Sequence, residues 1–117
     1  MTLNCNGQLI DLNTPKIMGI LNLTPDSFYD GGKYIDVENA LRQTEEMLLD
    51  GATFIDIGAF SSKPGAEEIS EEEESRRLFP VLEKLVRKFP YALFSIDTCR
   101  SQIADESLKI GACMIND

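Results

Sequence analysis

The sequence predicts an α/β fold built on a parallel sheet, and three observations carry that prediction. Four short apolar stretches, residues 16–22, 53–57, 91–96 and 113–115, alternate with three segments whose apolar residues recur at helical spacing. No two of these stretches are joined by a tight turn, so each neighbouring pair can run parallel with a right-handed crossover. Each also offers a polar side chain, Asn22, Asp56, Asp97 or Asn116, at or near its C-terminal end. The order β-α-β-α-β-α-β after a preliminary hairpin fits either half of an eight-stranded α/β barrel or a small doubly wound sheet. No Gly-x-Gly-x-x-Gly follows any strand, which weighs against a dinucleotide-binding version of the second.

Residues 2–12 read as a small hairpin, because Asn6-Gly7 tolerates the positive φ of a tight primed turn. Its arms are short and polar, so a lid or plug is expected rather than a core element. Thr14-Pro15 leads into the first buried strand, which breaks at Asn22 into a long polar loop. That loop holds Thr24-Pro25, Asp26, Phe28, Tyr29, Asp30 and Gly31-Gly32. It is longer than most connections, mixed in chemistry and hinged by glycines, as a loop that closes on a ligand tends to be. Residues 24–34 are therefore expected to take their order from a ligand.

Asp36 stands where a helix N-cap belongs, and Val37, Ala40, Leu41, Thr44, Met47 and Leu48 follow at helical spacing until Gly51. The β-branched stretch 53–57 is a second buried strand. A second polar loop, 58–69, contains Ser61-Ser62-Lys63-Pro64-Gly65. Ser70 and Glu73 form a capping-box pair, and the acidic run from Glu71 to Glu74 favours the positive end of a helix dipole. Four glutamates in a row suit a solvated, well-capped first turn better than a cation site. Leu78, Leu82, Leu85 and Val86 carry this helix to Lys88, with Pro80 expected to kink or restart it. The third strand ends at Asp97-Thr98, a short helix over 101–109 stops at Gly111, and the fourth strand leads to Asn116-Asp117.

Composition narrows the function. The 117 residues fit one domain, and 43 % apolar content is enough for a core. A net charge of −9 excludes a broad nucleic-acid surface, which needs clustered Lys and Arg. No apolar run approaches a membrane span, and the N-terminus lacks a signal peptide's pattern. The scattered cysteines Cys5, Cys99 and Cys113 read as reduced thiols of a cytoplasmic protein. With no histidine, a Ser-His or Cys-His nucleophile cannot be built within the chain.

Side chains alternate between the two faces of a strand, so the polar ends can be checked for parity. Met18, Ile20 and Asn22 share a face, as do Phe54 and Asp56, Leu93, Ser95 and Asp97, and Met114 and Asn116. The alternate positions, Ile55 and Ile57, Phe94 and Ile96, Cys113 and Ile115, suit packing against helices. Asn22, Asp97 and Asn116 each have an adequate structural explanation as turn or cap. Asp56 between two isoleucines does not, since a buried carboxylate is costly unless paired or wet. Ligands bind at the C-terminal edge of parallel α/β sheets, so the four point to a polar pocket there. Two amides and two carboxylates suit a flat heterocycle rich in N–H donors and ring acceptors, such as the guanidine-like edge of a pterin or guanine.

The same residues resemble a known family. Met18-Gly-Ile-Leu-Asn-Leu-Thr-Pro-Asp-Ser-Phe-Tyr-Asp-Gly-Gly32 is similar to the first signature of dihydropteroate synthases. Gly51-Ala52 with Phe54-Ile-Asp-Ile-Gly58, followed by Ser61 to Ala66, resembles the second. Ser95-Ile-Asp-Thr98 and Gly111-Ala112 with Ile115-Asn-Asp117 resemble the next two. The resemblance implies a (β/α)8 TIM-type barrel, with residues 1–117 as its N-terminal half: a hairpin over 1–13, then barrel strands one to four over 16–117. It implies condensation of 6-hydroxymethyl-7,8-dihydropterin pyrophosphate with p-aminobenzoate to 7,8-dihydropteroate and pyrophosphate, in folate biosynthesis. By the same resemblance Asn22 and Asp30 hold Mg2+ and the diphosphate, and Asp97 and Asn116 grip the pterin edge. Ser62 approaches the phosphates, Asp56 belongs to the catalytic set, and Phe28, Lys63 and Pro64 face substrate, Phe28 and Pro64 walling the aminobenzoate pocket. Pyrophosphate leaves a cation-like pterin methylene that the aniline nitrogen attacks, so no covalent enzyme intermediate is needed.

The second loop departs from the family pattern. It reads Gly58-Ala59-Phe60-Ser61-Ser62-Lys63-Pro64 where Gly-Gly-Glu-Ser-Thr-Arg-Pro is usual. Lys63 keeps the charge of the arginine but loses its planar fork. A pterin-binding methyltransferase would share the barrel but not the Asn-Leu-Thr-Pro-Asp-Ser-Phe loop, and a rival of another class is a non-catalytic half-barrel that only self-associates. Four strands also leave the fourth strand's edge unpaired, with Met18, Ile20, Phe54, Leu93 and Met114 lacking an opposite wall. A homodimer, aggregation or a cropped view of a longer chain is expected, and the 117 residues alone are not expected to be a competent synthase.

Overall fold

A computed structural model describes residues 2–5, 8–11, 16–24, 35–59 and 68–116, the first two segments as backbone only. In chain order the elements are β1 (Thr2–Cys5), β2 (Gln8–Asp11), β3 (Met18–Asn22), α1 (Val37–Leu49), β4 (Phe54–Gly58), α2 (Glu71–Lys88), β5 (Leu93–Asp97), α3 (Ser101–Ile110) and β6 (Met114–Asn116). β1 and β2 pair antiparallel with Cys5 opposite Gln8; Asn6-Gly7, expected to form the turn, lies outside the described residues. The other strands form one parallel sheet in the order β3-β4-β5-β6, as the connection lengths imply.

Strand ends differ from expectation in a way that matters for the site. β3 begins at Met18 rather than residue 16, and the Ile17 carbonyl just before it accepts from the N–H groups of Thr53 at 2.8 Å and Phe54 at 3.3 Å. β4, β5 and β6 each run one residue further than predicted, to Gly58, Asp97 and Asn116. The polar termini are thus locked into the ladder, not released into the loops.

The helices cover one face of the sheet. Leu21, Ile55, Ile57, Phe94 and Ile96 point that way and pack with Leu78, Leu82 and Leu85 of α2 and Ile103 of α3. On the opposite face Phe54 and Leu93 form a second cluster with Met114 and Cys113. Two expectations are corrected here. Phe54 and Leu93, predicted to be bare, are only 5 % and 3 % exposed and pack with Cys113 and Met114, while Met18 and Ile20 on the edge strand are 41 % and 65 % exposed. Cys113, predicted to face the helices, packs with Phe54 and Leu93; it precedes β6, its N–H donating to the Phe94 carbonyl at 2.9 Å, and does not follow that strand's alternation.

Helix ends follow the sequence with one exception. The Asp36 carboxylate accepts from the Asn39 N–H at 3.0 Å, and the Ser70 hydroxyl from the Glu73 N–H at 3.1 Å. The return bond of a full capping box gives way to ion pairing, for the Glu73 carboxylate accepts from Arg76 and Arg77. Pro80 does not restart α2, which runs as one helix from Glu71 to Lys88 with the proline on its exposed side. α3 ends on Gly111 at φ +143°, where a Cβ would stand 2.9 Å from the Val86 side chain, so glycine answers both the backbone and the space.

Candidate active site

The parallel register stacks the inner-face residues in rows. Met18, Phe54 and Leu93 form the lowest, and Ile20, Asp56, Ser95 and Met114 the next. Asn22, Gly58, Asp97 and Asn116 form the last, at the C-terminal edge. The face therefore grades from apolar through mixed to polar toward the edge where ligands bind in such sheets. All four polar strand-end residues lie on this face and at this edge, with Asp56 one row below the others.

Asp56 is 6 % exposed, and both of its carboxylate oxygens are engaged. The Ser95 hydroxyl, itself fully buried, donates to Oδ1 through a short hydrogen bond, and the Asn116 Nδ2 donates to Oδ2 at 3.3 Å. The paired donors explain how an aspartate persists between Ile55 and Ile57. They also orient Asn116: with its NH2 group turned to Asp56, its Oδ1 acceptor faces the other way. Asp97 and Asn116 are register neighbours, and behind them the Thr98 N–H donates to the Asn116 carbonyl at 3.2 Å. The Thr98 hydroxyl accepts from the Arg100 N–H at 3.2 Å, closing the turn after β5.

Gly58 lies between Asn22 and Asp97 in the top row. A Cβ there would stand 3.5 Å from the Asp97 carboxylate, so the missing side chain leaves a low point in the floor. Asn22 and Asp97 are two strands apart, about 10 Å at ordinary strand spacing. The arrangement can seat a flat, N–H-rich group over Asp97 and Asn116 and carry a polar extension across Gly58 toward Asn22.

Of the other sequence-predicted site residues, Phe28, Asp30, Ser62, Lys63 and Pro64 lie outside the described residues, as does all but the first residue of the 24–34 loop. Among the described residues no group of three His, Cys, Asp or Glu could hold a metal ion. Asn22, exposed at its strand end, offers one neutral oxygen. That donor suits an ion that keeps its waters and takes its remaining ligands from substrate phosphates, as Mg2+ does, and not a protein cage. Sequence reasoning missed Ser95 as the partner of Asp56, although its polarity in an apolar strand and its parity with Asp97 were a signal. It also missed the arginines behind the edge, since nothing local shows that Arg77 Nη1 donates to the Ala59 carbonyl at 2.9 Å or Arg100 Nη2 to that of Ile69 at 2.6 Å.

Comparison with known proteins agrees with this geometry. Residues 18–117 match the pterin binding enzyme family. The chain is 50 % identical over 101 residues to the dihydropteroate synthase of Bacillus subtilis, covering 86 % of this chain and 35 % of that protein. Two solved structures from Xanthomonas albilineans superpose on it. The dihydropteroate synthase with 4-aminobenzoic acid does so with a TM-score of 0.87 and 41 % identity, covering 99 % of this chain and 43 % of that one. The dihydropteroate synthase in complex with 7,8-dihydropteroate gives 0.82 and 38 %, covering 100 % and 42 %. The chain thus spans about two-fifths of the length of the relatives it matches. No helix among the described residues is long and apolar enough to cross a membrane. The fold is the α/β arrangement of a (β/α)8 barrel, here a hairpin and four consecutive barrel strands, and the chain belongs to the family of pterin-binding enzymes.

Proposed function

We propose that the chain serves dihydropteroate synthesis, the condensation of 6-hydroxymethyl-7,8-dihydropterin pyrophosphate with p-aminobenzoate. The observation that carries this reading is the top row of the sheet: a carboxylate and an amide side by side over a buried aspartate, then a glycine gap, then a second amide about 10 Å from the carboxylate. Asp97 accepts paired N–H groups of the pterin edge, and Asn116, oriented by Asp56, offers its amide oxygen in the same plane. The diphosphate extends over Gly58 to Asn22. The names of the relatives support the same substrates.

In the reaction the bond between the pterin methylene carbon and the diphosphate oxygen breaks, and a bond from that carbon to the aniline nitrogen forms. The amine gives up one proton and pyrophosphate departs. This chain's residues act by holding the pterin in one plane and one position, so that the methylene carbon meets the incoming amine in line. Asn22 and Asp30 would hold Mg2+, which would supply charge neutralisation for the leaving diphosphate. Ser62 and Lys63 belong to the phosphate end, and Phe28 and Pro64 to the aminobenzoate wall. A cytoplasmic setting goes with the reading, since Cys99 is an exposed free thiol. Self-association of the 117 residues by themselves goes with it through the bare apolar part of β3.

The test is calorimetric titration of a dihydropterin into the 117-residue protein and into Asp97→Asn, followed by pyrophosphate release with Mg2+ and both substrates. The amide cannot accept paired donors as a carboxylate can, so Asp97→Asn should weaken pterin binding by about 1.5–3 kcal/mol. Equal affinity in the two proteins removes Asp97 from the site and the reading with it.

A further inference from the structure

Four charged residues that the proposed chemistry does not use meet where α2 and α3 begin. Arg77 of α2 divides its guanidinium, Nε donating to the Glu73 carboxylate at 2.9 Å and Nη1 to the Ala59 carbonyl at 2.9 Å. Arg100, at the N-cap of α3, does the same, Nη1 donating to the Glu74 carboxylate at 2.7 Å and Nη2 to the Ile69 carbonyl at 2.6 Å. Ala59 directly follows β4, and Ile69 stands two residues before α2. The two carbonyls are therefore the two ends of one connection, and each is held by an arginine that a neighbouring glutamate fixes in place. The acidic run that suits a solvated cap thus has one member, Glu74, committed to a long-range pair, while Glu73 pairs within its own helix.

We propose that Glu73–Arg77 and Glu74–Arg100 are positioning pairs that fix the two ends of the β4–α2 connection relative to the strand edge bearing Asp56, Asp97 and Asn116.

Three features favour position over bulk stability. Each guanidinium spends one arm on a carboxylate and another on a backbone carbonyl, a division that a rigid fork makes and a single ammonium does not. Glu74 is 1 % exposed, yet its Oε2 has no partner among the described residues, an arrangement that stabilises a fold less than a well-packed apolar pair. The contacts also bridge distant parts of the chain: Arg100 reaches back to Ile69 and Glu74 while its own N–H bonds the Thr98 hydroxyl beside Asp97. One side chain thereby ties the β4–α2 connection to the turn that follows the pterin-edge aspartate. The consequence for substrate rests on the reading above, in which that connection carries Ser62, Lys63 and Pro64; the pairs themselves do not depend on it.

The test compares wild type, Arg100→Lys, Arg77→Met and the double variant Glu74→Leu/Arg100→Met by amide hydrogen exchange and urea denaturation of the whole 117-residue protein. The double variant removes a buried charged pair together, which spares the fold an unpaired charge. The amides of Ala59 and residues 68–70 are expected to exchange about tenfold faster in the double variant and in Arg77→Met, as losing a charged hydrogen bond predicts. Arg100→Lys, keeping one donor, should fall between. The amides of β3 to β6 and the denaturation midpoint of the double variant should stay at wild-type values. Wild-type exchange at Ala59 and residues 68–70, or faster exchange spread evenly through the strands with a lowered midpoint, overturns the proposal. A parallel titration separates the two readings: in the double variant p-aminobenzoate affinity should fall about tenfold, by the same loss, while dihydropterin affinity holds. If wild type binds neither compound, the synthase reading fails and the exchange data still decide the role of the two positioning pairs.

Discussion

Asp56 is held at both oxygens, and the two donors do different work. Asn116 is a strand-end residue whose orientation the bond sets, while Ser95 is fully buried and exists in the row to satisfy the carboxylate. Ser95→Ala should therefore leave a buried charged oxygen short of a donor and destabilise the protein by about 1–3 kcal/mol. Urea denaturation at pH 7 measures it, and a midpoint equal to wild type would mean that water replaces the hydroxyl. Gly58 tests the floor of the same site. Its absent Cβ would lie at ordinary contact distance from Asp97, so Gly58→Ala should be tolerated. Gly58→Val places a branched group between Asn22 and Asp97 and should weaken dihydropterin binding about tenfold or more, the scale of one lost charged hydrogen bond, with the circular dichroism spectrum unchanged. Parity along each strand made the shared face of Asn22, Asp56, Asp97 and Asn116 legible in the sequence. The partnership of Asp56 with Ser95 was not, because it depends on how neighbouring strands are staggered, which no single strand reveals.

Helix α2 carries charge in a more specific way than its sequence declares. Ser70 as N-cap and the dipole preference of the acids were legible because both are local. The contacts of Arg77 with Ala59 and of Arg100 with Glu74 and Ile69 were not, since they join residues 18 to 31 positions apart, whereas Glu73 meets Arg76 and Arg77 within one turn. Glu73 shows the electrostatic result. Hydrogen bonding from Arg76, opposed by burial and joined by Arg77, lowers its carboxyl pKa from 4.5 to about 2. A carboxylate whose pKa falls on folding contributes stability that is fully present above its unfolded value and is lost as pH falls through the folded one. The contribution of Glu73 is therefore complete above about pH 4.5 and disappears on approach to pH 2. Unfolding midpoints of wild type and Glu73→Gln, followed from pH 7 to pH 2, should differ at neutral pH and converge at the acid end. A gap that stays constant across that range would show that the glutamate acts by packing and not by charge. Arg100, whose pKa is raised above its usual value chiefly by its hydrogen bond to Glu74, keeps its charge throughout.

Across the whole molecule the inner face of the sheet is uneven, and that unevenness directs association. Strand order and parallel pairing were readable from connection lengths, but the burial of Phe54 and Leu93 was not, because it depends on packing with Cys113 and Met114 from a later part of the chain. What remains bare is β3, an edge strand whose Met18 and Ile20 are exposed on the same face, with Ile17 60 % exposed just before them. An edge strand that is both unpaired in its sheet and apolar on one face is a template for another chain. In a closed (β/α)8 barrel that edge is taken by the barrel's last strand, so it is self-association of the 117 residues by themselves that should run through β3. Ile20→Lys puts a charge at the centre of that surface while removing a side chain 65 % exposed, so its effect on folding should stay within about 0.5 kcal/mol. Sedimentation equilibrium is expected to give a dimer for wild type and a monomer for Ile20→Lys, with matching urea midpoints once concentration is low enough to separate the wild-type subunits. The lysine stands one row below Asn22, on the site's own face, so dihydropterin titration must accompany the measurement. A variant that dimerises as tightly as wild type would move the interface away from β3, leaving β6 as the sheet's other edge to be tested by the same substitution at Met114.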